Sequence, residues 1–525
     1  MASPEIRRLQ LQRFRGVENL NWHPAPRMNI ILGGGDVGKT TLLDAIALLL
    51  HPTNSYTLSD SDYWQRKVHD EFCIEAVMFL PESTGIHKHT NAAWPWEWDG
   101  TNAVQPMAEG EGGAREPVYK VRVRGTADLE LVHEMVQPDD TAIAFSTALR
   151  RSIGVVRLAG DDRNERDLRL IQGGGLDRLL ADKALRAKLG RKVALDAVEG
   201  ELSPEAQDRL STLNTAFGKR ALPTDLGLGF VGGVGLSINA LVGLTAKKDE
   251  IPLPLISWGA GTRRLASLAI ADALQDGYPI TVVDELERGL EPYRQRRLVN
   301  TFREKTSQIF VTTHSAAVIG AAAGSTLWYI DARGAIGELP LEKVAAHQAK
   351  DPVAFLARLT IVAEGATEVG FITNLLARFI AENWGEQGIH VTDGGGNESV
   401  LNLLEGLSSG GLRFAGFADC EPANPSPGRW QRVQERLGNL LLRWPQGSLE
   451  DNILPLFTPD DLDRLIADPE DRRTGQRRRS LADRLGIVES SIEAIREAAG
   501  NQLMAVVVQA ATGYVPEQFK DDKVK

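Results

Sequence analysis

The octapeptide Gly33-Gly34-Gly35-Asp36-Val37-Gly38-Lys39-Thr40 constrains this chain more than any other feature. It fits G-x-x-x-x-G-K-[ST] at every fixed position. The apolar run Met28–Leu32 before it reads as a strand, and Thr41–Leu50 after it reads as a helix. Strand, glycine loop and helix are the setting in which backbone N–H groups turn inward onto phosphate oxygens, helped by the helix dipole. Lys39 is expected to reach the β- and γ-phosphates and Thr40 to sit on Mg²⁺. Gly33, Gly35, Asp36, Val37, Gly38 and Thr41 complete the expected nucleotide cradle.

Downstream, the buried-type strand Ile280–Val283 ends in Asp284-Glu285. An acid there suits Mg²⁺, and Glu285 suits the role of general base toward an attacking water. Gln308–Thr312 is a similar strand and runs into Thr313-His314-Ser315, which places His314 as a γ-phosphate sensor or, alternatively, a helix cap. Between these motifs lies Ser257-Trp258-Gly259-Ala260-Gly261, followed by the helical run Ala266–Leu274. Short apolar strands between helices imply a parallel sheet covered on both faces.

The last third repeats that style with acids. Leu359–Ala363 leads into Glu364-Gly365-Ala366-Thr367-Glu368, Ile389–Thr392 into Asp393-Gly394-Gly395-Gly396, and Phe414–Ala418 into Asp419-Cys420-Glu421. Acids at the carboxyl ends of parallel strands converge and can hold Mg²⁺ or Mn²⁺ through oxygen. Capping of the following helices is the alternative for Glu364 and Asp419 taken singly.

Bulk properties set limits. The 525 residues allow roughly three to four domains. A net charge of −11 excludes a uniformly basic coat but not a local basic groove. Two distant cysteines exclude a disulfide framework and a Cys-rich zinc site, and point to the cytoplasm. No apolar run is long enough to span a membrane, and the N-terminus carries no signal core. Arg472-Arg473, Arg477-Arg478-Arg479 and, more faintly, Arg157, Arg163, Arg166 and Arg169 read as solvated faces or, alternatively, as residues that hold DNA phosphates.

The order of phosphate loop, Ser257/Gly259 element, Asp284-Glu285 and His314, with Phe14-Arg15-Gly16 near the start, resembles the ABC-type ATPases of the SMC and RecF group. The Glu364, Glu368, Asp419 and Glu421 pattern resembles the Toprim domain, and Glu450 resembles the late glutamate of OLD-type Toprims. Together the chain resembles the OLD (overcoming lysogenisation defect) family. That resemblance implies an α/β fold: an ABC-type head over residues 1–160 and 223–350, a helical dimerisation insertion over 161–222, and a Toprim domain with a parallel sheet over 351–525. It further implies ATP and Mg²⁺ in the head, Mg²⁺ or Mn²⁺ in the Toprim site, DNA as partner and a homodimer or higher homo-oligomer. Nucleotide-gated DNA nicking or cleavage in anti-phage defence or DNA processing follows, with a helicase or another defence-system protein as further partner. Lys520 is the candidate for the lysine that OLD enzymes place near the scissile phosphate. An ATP-switched DNA clamp or sensor with an inactive Toprim-like docking domain is the alternative.

Overall fold

The computed structural model describes residues 2–54, 56–88, 93–107, 115–158, 167–171, 174–182, 185, 202–230, 242–248, 250–273, 280–380, 383–420, 427–467 and 476–512. The chain forms two compact units, Met1–Glu338 and Leu339–Lys525.

The first unit begins β1 (Glu5–Phe14), β2 (Val17–Trp22), β3 (Met28–Gly33), β4 (Phe72–Phe79), β5 (Trp96–Trp98), β6 (Ala103–Val104), β7 (Glu116–Gly125), β8 (Leu131–Val136) and β9 (Ala142–Ala144). It continues β10 (Val155–Leu158), β11 (Gly227–Phe230), β12 (Val242–Lys248), β13 (Ile251–Pro254), β14 (Ile280–Val283), β15 (Ile309–Thr312), β16 (Thr326–Ile330) and β17 (Ile336–Leu339). Its helices include α1 (Lys39–Leu49), α2 (Gly175–Leu180), α3 (Pro204–Lys219) and α4 (Ala260–Ala273).

Six strands form one sheet in the order β10-β14-β15-β3-β16-β17. The pairs from β10 through β16 are parallel. β14 and β15 are buried at every position, as are the first five residues of β3. Continuous apolar runs of this kind are what a sheet covered on both faces requires. A second, antiparallel sheet joins β2-β1-β4-β7-β5-β6, with β8 and β9 at its side. α1 packs against strands of both sheets, and one core holds Leu42, Leu43 and Ile46 of α1 with Ile74, Val121, Ile280 and Phe310. The stretch 81–117 supplies the β5–β6 hairpin, and β5 pairs with β7.

Of the expected helical insertion, α2 and α3 are described. Both pack against α4, and α3 buries Ala206, Leu210, Leu213 and Phe217, which leaves its polar face to solvent. Arg163 and Arg166 lie outside the described residues.

The second unit carries α5 (Leu341–Lys350), β18 (Leu359–Ala363), α6 (Ala366–Phe379), β19 (Ile389–Asp393), α7 (Asn397–Ser409), β20 (Phe414–Ala418), α8 (Pro427–Leu437), β21 (Leu441–Arg443) and α9 (Leu449–Ile453). The four strands form a parallel sheet in the order β19-β18-β20-β21. The unit begins about a dozen residues before the expected boundary at 350/351, because α5 packs against α7. Helices from Leu454 onward bury a core of their own around Leu462, Ile466, Leu481, Ile495 and Val507. No described helix is long and apolar enough to cross a membrane.

Candidate nucleotide and carboxylate sites

In the first unit the phosphate loop connects β3 to α1. Gly33 and Gly38 adopt positive φ angles of 152° and 97°, which glycine reaches without the Cβ penalty. A Cβ at Gly33 would stand 2.7 Å from the Ile330 carbonyl oxygen, whereas one at Gly35 would meet nothing within 4 Å. The loop is packed behind and open in front, as a phosphate cradle must be. Asp36 also has positive φ, at 57°. Val37 packs beside the core, and Thr41 follows Thr40 in the first turn of α1.

Lys39 Nζ donates to the carbonyl oxygens of Gly33 and Gly34 at 3.0 and 2.5 Å. Burial pulls its pKa down, against the opposing pull of Asp284, Asp36, Glu285 and Glu287. Thr40 Oγ1 donates to Asp284 Oδ2 at 3.0 Å, across the sheet from β14. The structure therefore brings Lys39, Thr40, Asp284 and Glu285 together. Strand order does this: β15 alone separates β14 from β3.

Three residues that were not singled out from the sequence hold this corner. Thr312 Oγ1 donates to Asp284 Oδ1 at 2.6 Å and accepts from the Glu285 backbone N–H at 2.9 Å. Buried Arg264, on α4, donates to the carbonyl oxygens of Asp284 and Glu285. Burial lowers its pKa to about 10, so it remains a cation at neutral pH. Glu287 accepts from Thr313 Oγ1 at 2.6 Å and from the His314 backbone N–H at 2.7 Å. Glu285 itself has φ of 48° and is exposed. His314 is exposed at the tip of β15. Each holding contact depends on pairing across strands, which no local pattern encodes.

Ser257 and Gly259 lie on the surface just ahead of α4. The Ser257 hydroxyl donates to Pro254 O at 2.7 Å, and Gly259 has open space around it. At Gly261, by contrast, a Cβ would fall 2.0 Å from Gly289 O, so helix and loop touch backbone to backbone. Arg15 and Arg157 both pair with Asp44 of α1. That engages Arg157, one of the arginines suggested for DNA.

In the second unit, Glu364 follows β18, Asp419 follows β20 and Glu450 follows β21. β18 lies between β19 and β20, so Glu364 and Asp419 flank the crevice where the strand order reverses. Glu364 Oε2 accepts from the Asp419 backbone N–H at 3.0 Å and from Asn397 Nδ2 at 3.1 Å. Asp419 Oδ1 accepts from the Leu449 backbone N–H at 3.0 Å. Glu368, Asp419 and Glu450 are all buried. Burial, with the charges of Glu368, Glu364 and Glu450, pushes the Asp419 carboxyl up to about 8. Burial also raises Glu368, again with help from Glu450 and Glu364. The four carboxylates are thus gathered in one place. Among the described residues, however, no three such groups stand as a ready ligand shell; Glu364 and Asp419 each spend an oxygen on backbone N–H donors. Repulsion among like charges in a buried site is relieved by a proton or a cation, and an all-carboxylate set suits Mg²⁺ or Mn²⁺.

Glu421, Arg472, Arg473 and Lys520 lie outside the described residues. Arg477 is buried and donates to Leu465 O at 3.4 Å, so it faces its own helical core rather than a ligand.

Residues 140–320 match a family model described as an AAA domain, putative AbiEii toxin, Type IV TA system. The DNA replication and repair protein RecF of Heliobacterium modesticaldum is 22% identical over 365 residues, covering 59% of this chain and 92% of that protein. The Smc head domain of Pyrococcus furiosus, with an extended coiled coil and bound to the C-terminal domain of ScpA, is 14% identical. It covers 66% of this chain and 99% of its own, with a TM-score of 0.43. The recombination mediator protein RecF is 13% identical in a nucleotide-bound structure, covering 65% and 99%, with a TM-score of 0.40. The family model and the RecF alignment agree with the phosphate-loop geometry: the N-terminal region is an ATP-binding, ABC-type ATPase region related to RecF.

Proposed function

We propose that this chain is an ATP-gated, divalent-metal-dependent DNA endonuclease of the OLD type, with a Toprim-like second unit. One observation carries the reading. Glu364, Glu368, Asp419 and Glu450 gather at the carboxyl edge of a four-stranded parallel sheet, and Asp419 is pushed up to about 8 by burial and like charge. Glu364, Glu368, Asp419 and Glu450, with Glu421 beside them in sequence, would hold Mg²⁺ or Mn²⁺. Such an ion would supply charge neutralisation at a phosphodiester and a more acidic water. Asn397 and the Asp419 backbone fix the Glu364 rotamer. The Leu449 N–H fixes that of Asp419.

In the head, Lys39 and the loop backbone would hold the ATP phosphates, Thr40 and Asp284 the Mg²⁺, and Glu285 the attacking water. His314 would sense the γ-phosphate. Ser257 and Gly259, exposed at the start of α4, would close on ATP held by a second copy. DNA as substrate is supported by the RecF relative, described as a DNA replication and repair protein. Anti-phage defence and a helicase or similar partner belong to the same proposal.

A second reading, an ATP-switched DNA clamp or sensor, is favoured by the absence of a ready ligand shell among the described residues. Calorimetric titration with Mn²⁺ in the absence of nucleotide separates the two. The nuclease reading expects micromolar-to-millimolar binding that Glu364→Gln with Asp419→Asn removes. Identical heats in both proteins would favour the clamp.

A further inference from the structure

The second unit holds a cleft of about 420 Å³ between α5, α7 and α8, lined by Lys343, Arg429, Arg432 and Arg436 with Glu342 and Glu405. Four cations face two acids there, in a chain whose net charge is −11.

The cations divide into two kinds. Lys343 Nζ and Arg429 bind Glu405 at 2.9 and 2.8 Å, and Arg429 also reaches Asn402 and Glu398, both at 2.5 Å. The Arg429 and Lys343 contacts draw the Glu405 carboxyl down to about 2. It therefore stays ionised and holds the floor of the cleft together. Arg432 and Arg436 are different. Arg432 is 62% exposed at its side chain and stands 3.9 Å from Glu405. Arg436 is exposed and gives one hydrogen bond, to Ser408 Oγ at 3.1 Å. A guanidinium carries five N–H donors, so both keep donors beyond these contacts.

Positions 429, 432 and 436 share one face of α8. At about 1.5 Å per residue they span about 10 Å, with Arg432 and Arg436 about 6 Å apart along the axis, a spacing that lets them meet neighbouring phosphates of one strand. α8 is tied to the carboxylates by hydrogen bonds. Trp430, next to Arg429, donates from Nε1 to Asn397 Oδ1 at 3.3 Å, and Asn397 is the residue that donates to Glu364.

We propose that this cleft is a nucleic-acid phosphate track. Arg432 and Arg436 take the phosphates of one DNA strand, and Arg429 with Lys343 fixes the floor that orients them. The inference rests on the DNA-acting reading above and names where the strand lies. It uses none of the arginines that the sequence pattern singled out.

The test is fluorescence anisotropy of labelled single- and double-stranded DNA with the full chain, in EDTA, across a salt series. Arg432→Glu with Arg436→Glu should weaken binding at least tenfold at 100 mM salt. The slope of log K against log salt should become shallower by about 1.5, at roughly 0.7–0.9 per phosphate. ATP turnover without DNA should not change. If the charge-reversed protein melts early, Arg432→Gln with Arg436→Gln should still flatten the slope. Unchanged affinity and slope overturn the track. So does tripolyphosphate binding that the variants lose while DNA binding persists, which would make the cleft a small-anion site. DNA bound through these arginines but never cut would leave the track standing and remove the nuclease. DNA cut normally by the double variant, with unaltered binding, would do the reverse.

Discussion

Asp284 shows how one side chain is prepared for metal chemistry by neighbours that are distant in sequence. Its two oxygens accept from Thr40 and Thr312, and its carbonyl from Arg264. Thr312→Val would strip one donor from a buried carboxylate and leave the Glu285 N–H unpaired. The expected cost is about 1–3 kcal/mol, read as a lower melting temperature, with ATP turnover falling further than ATP affinity. His133 offers a pH test. Burial, with Arg150 nearby, lowers its pKa to about 4, and its Nε2–H donates to Leu48 O at the end of α1. The unfolded chain takes up a proton near pH 6.5 that the folded chain refuses until about 4. Stability is therefore full above about 6.5 and drains as pH falls toward 4, by on the order of 3 kcal/mol. His133→Gln should flatten that slope in melting curves recorded from pH 7 to 4.5. Asp284 and Glu285 were legible in the sequence because an acid at the end of an apolar strand is a local pattern. Thr312, Arg264 and Glu287 were not, because their roles exist only once β14 and β15 are paired and α4 is docked.

At the scale of elements, strand–loop–helix units were the readable part. β3 with α1, and β18 with α6, follow from apolar runs broken by glycine. The β19-β18-β20-β21 order was not readable, since pairing between strands has no local signature. Nor was the close approach of α4 to the loop at Gly289. That approach makes Gly261 a sharp probe: Gly261→Ala places a methyl 2.0 Å from a carbonyl oxygen. The helix must move, at about 1–3 kcal/mol for overpacking, and Arg264 moves with it. Loss of ATP turnover with retained ATP binding is expected. Full turnover with an unchanged melting temperature would mean that the contact is soft. In the second unit, Arg477, expected at a DNA surface, turned into its helical core, while Arg432 and Arg436 of α8, which no sequence pattern singled out, remained outside.

For the whole molecule, one chain joins an ATP-binding head to a carboxylate-bearing second unit. The exposed Ser257/Gly259 element gains a role only when a second copy closes on it. In ATP and Mg²⁺, Glu285→Gln should therefore sediment at twice the mass of the nucleotide-free chain, while Lys39→Ala should not. Equal masses for both would remove ATP-driven pairing. The central claim, metal-dependent DNA cleavage under nucleotide control, is tested most directly by plasmid nicking with the purified chain. Reactions would contain Mg²⁺ or Mn²⁺, with and without ATP, beside Glu364→Ala and Lys39→Ala. The expected result is nicking that needs the metal, disappears with Glu364→Ala, and loses its response to ATP with Lys39→Ala. Intact plasmid in every lane, from a protein that still hydrolyses ATP, would contradict it.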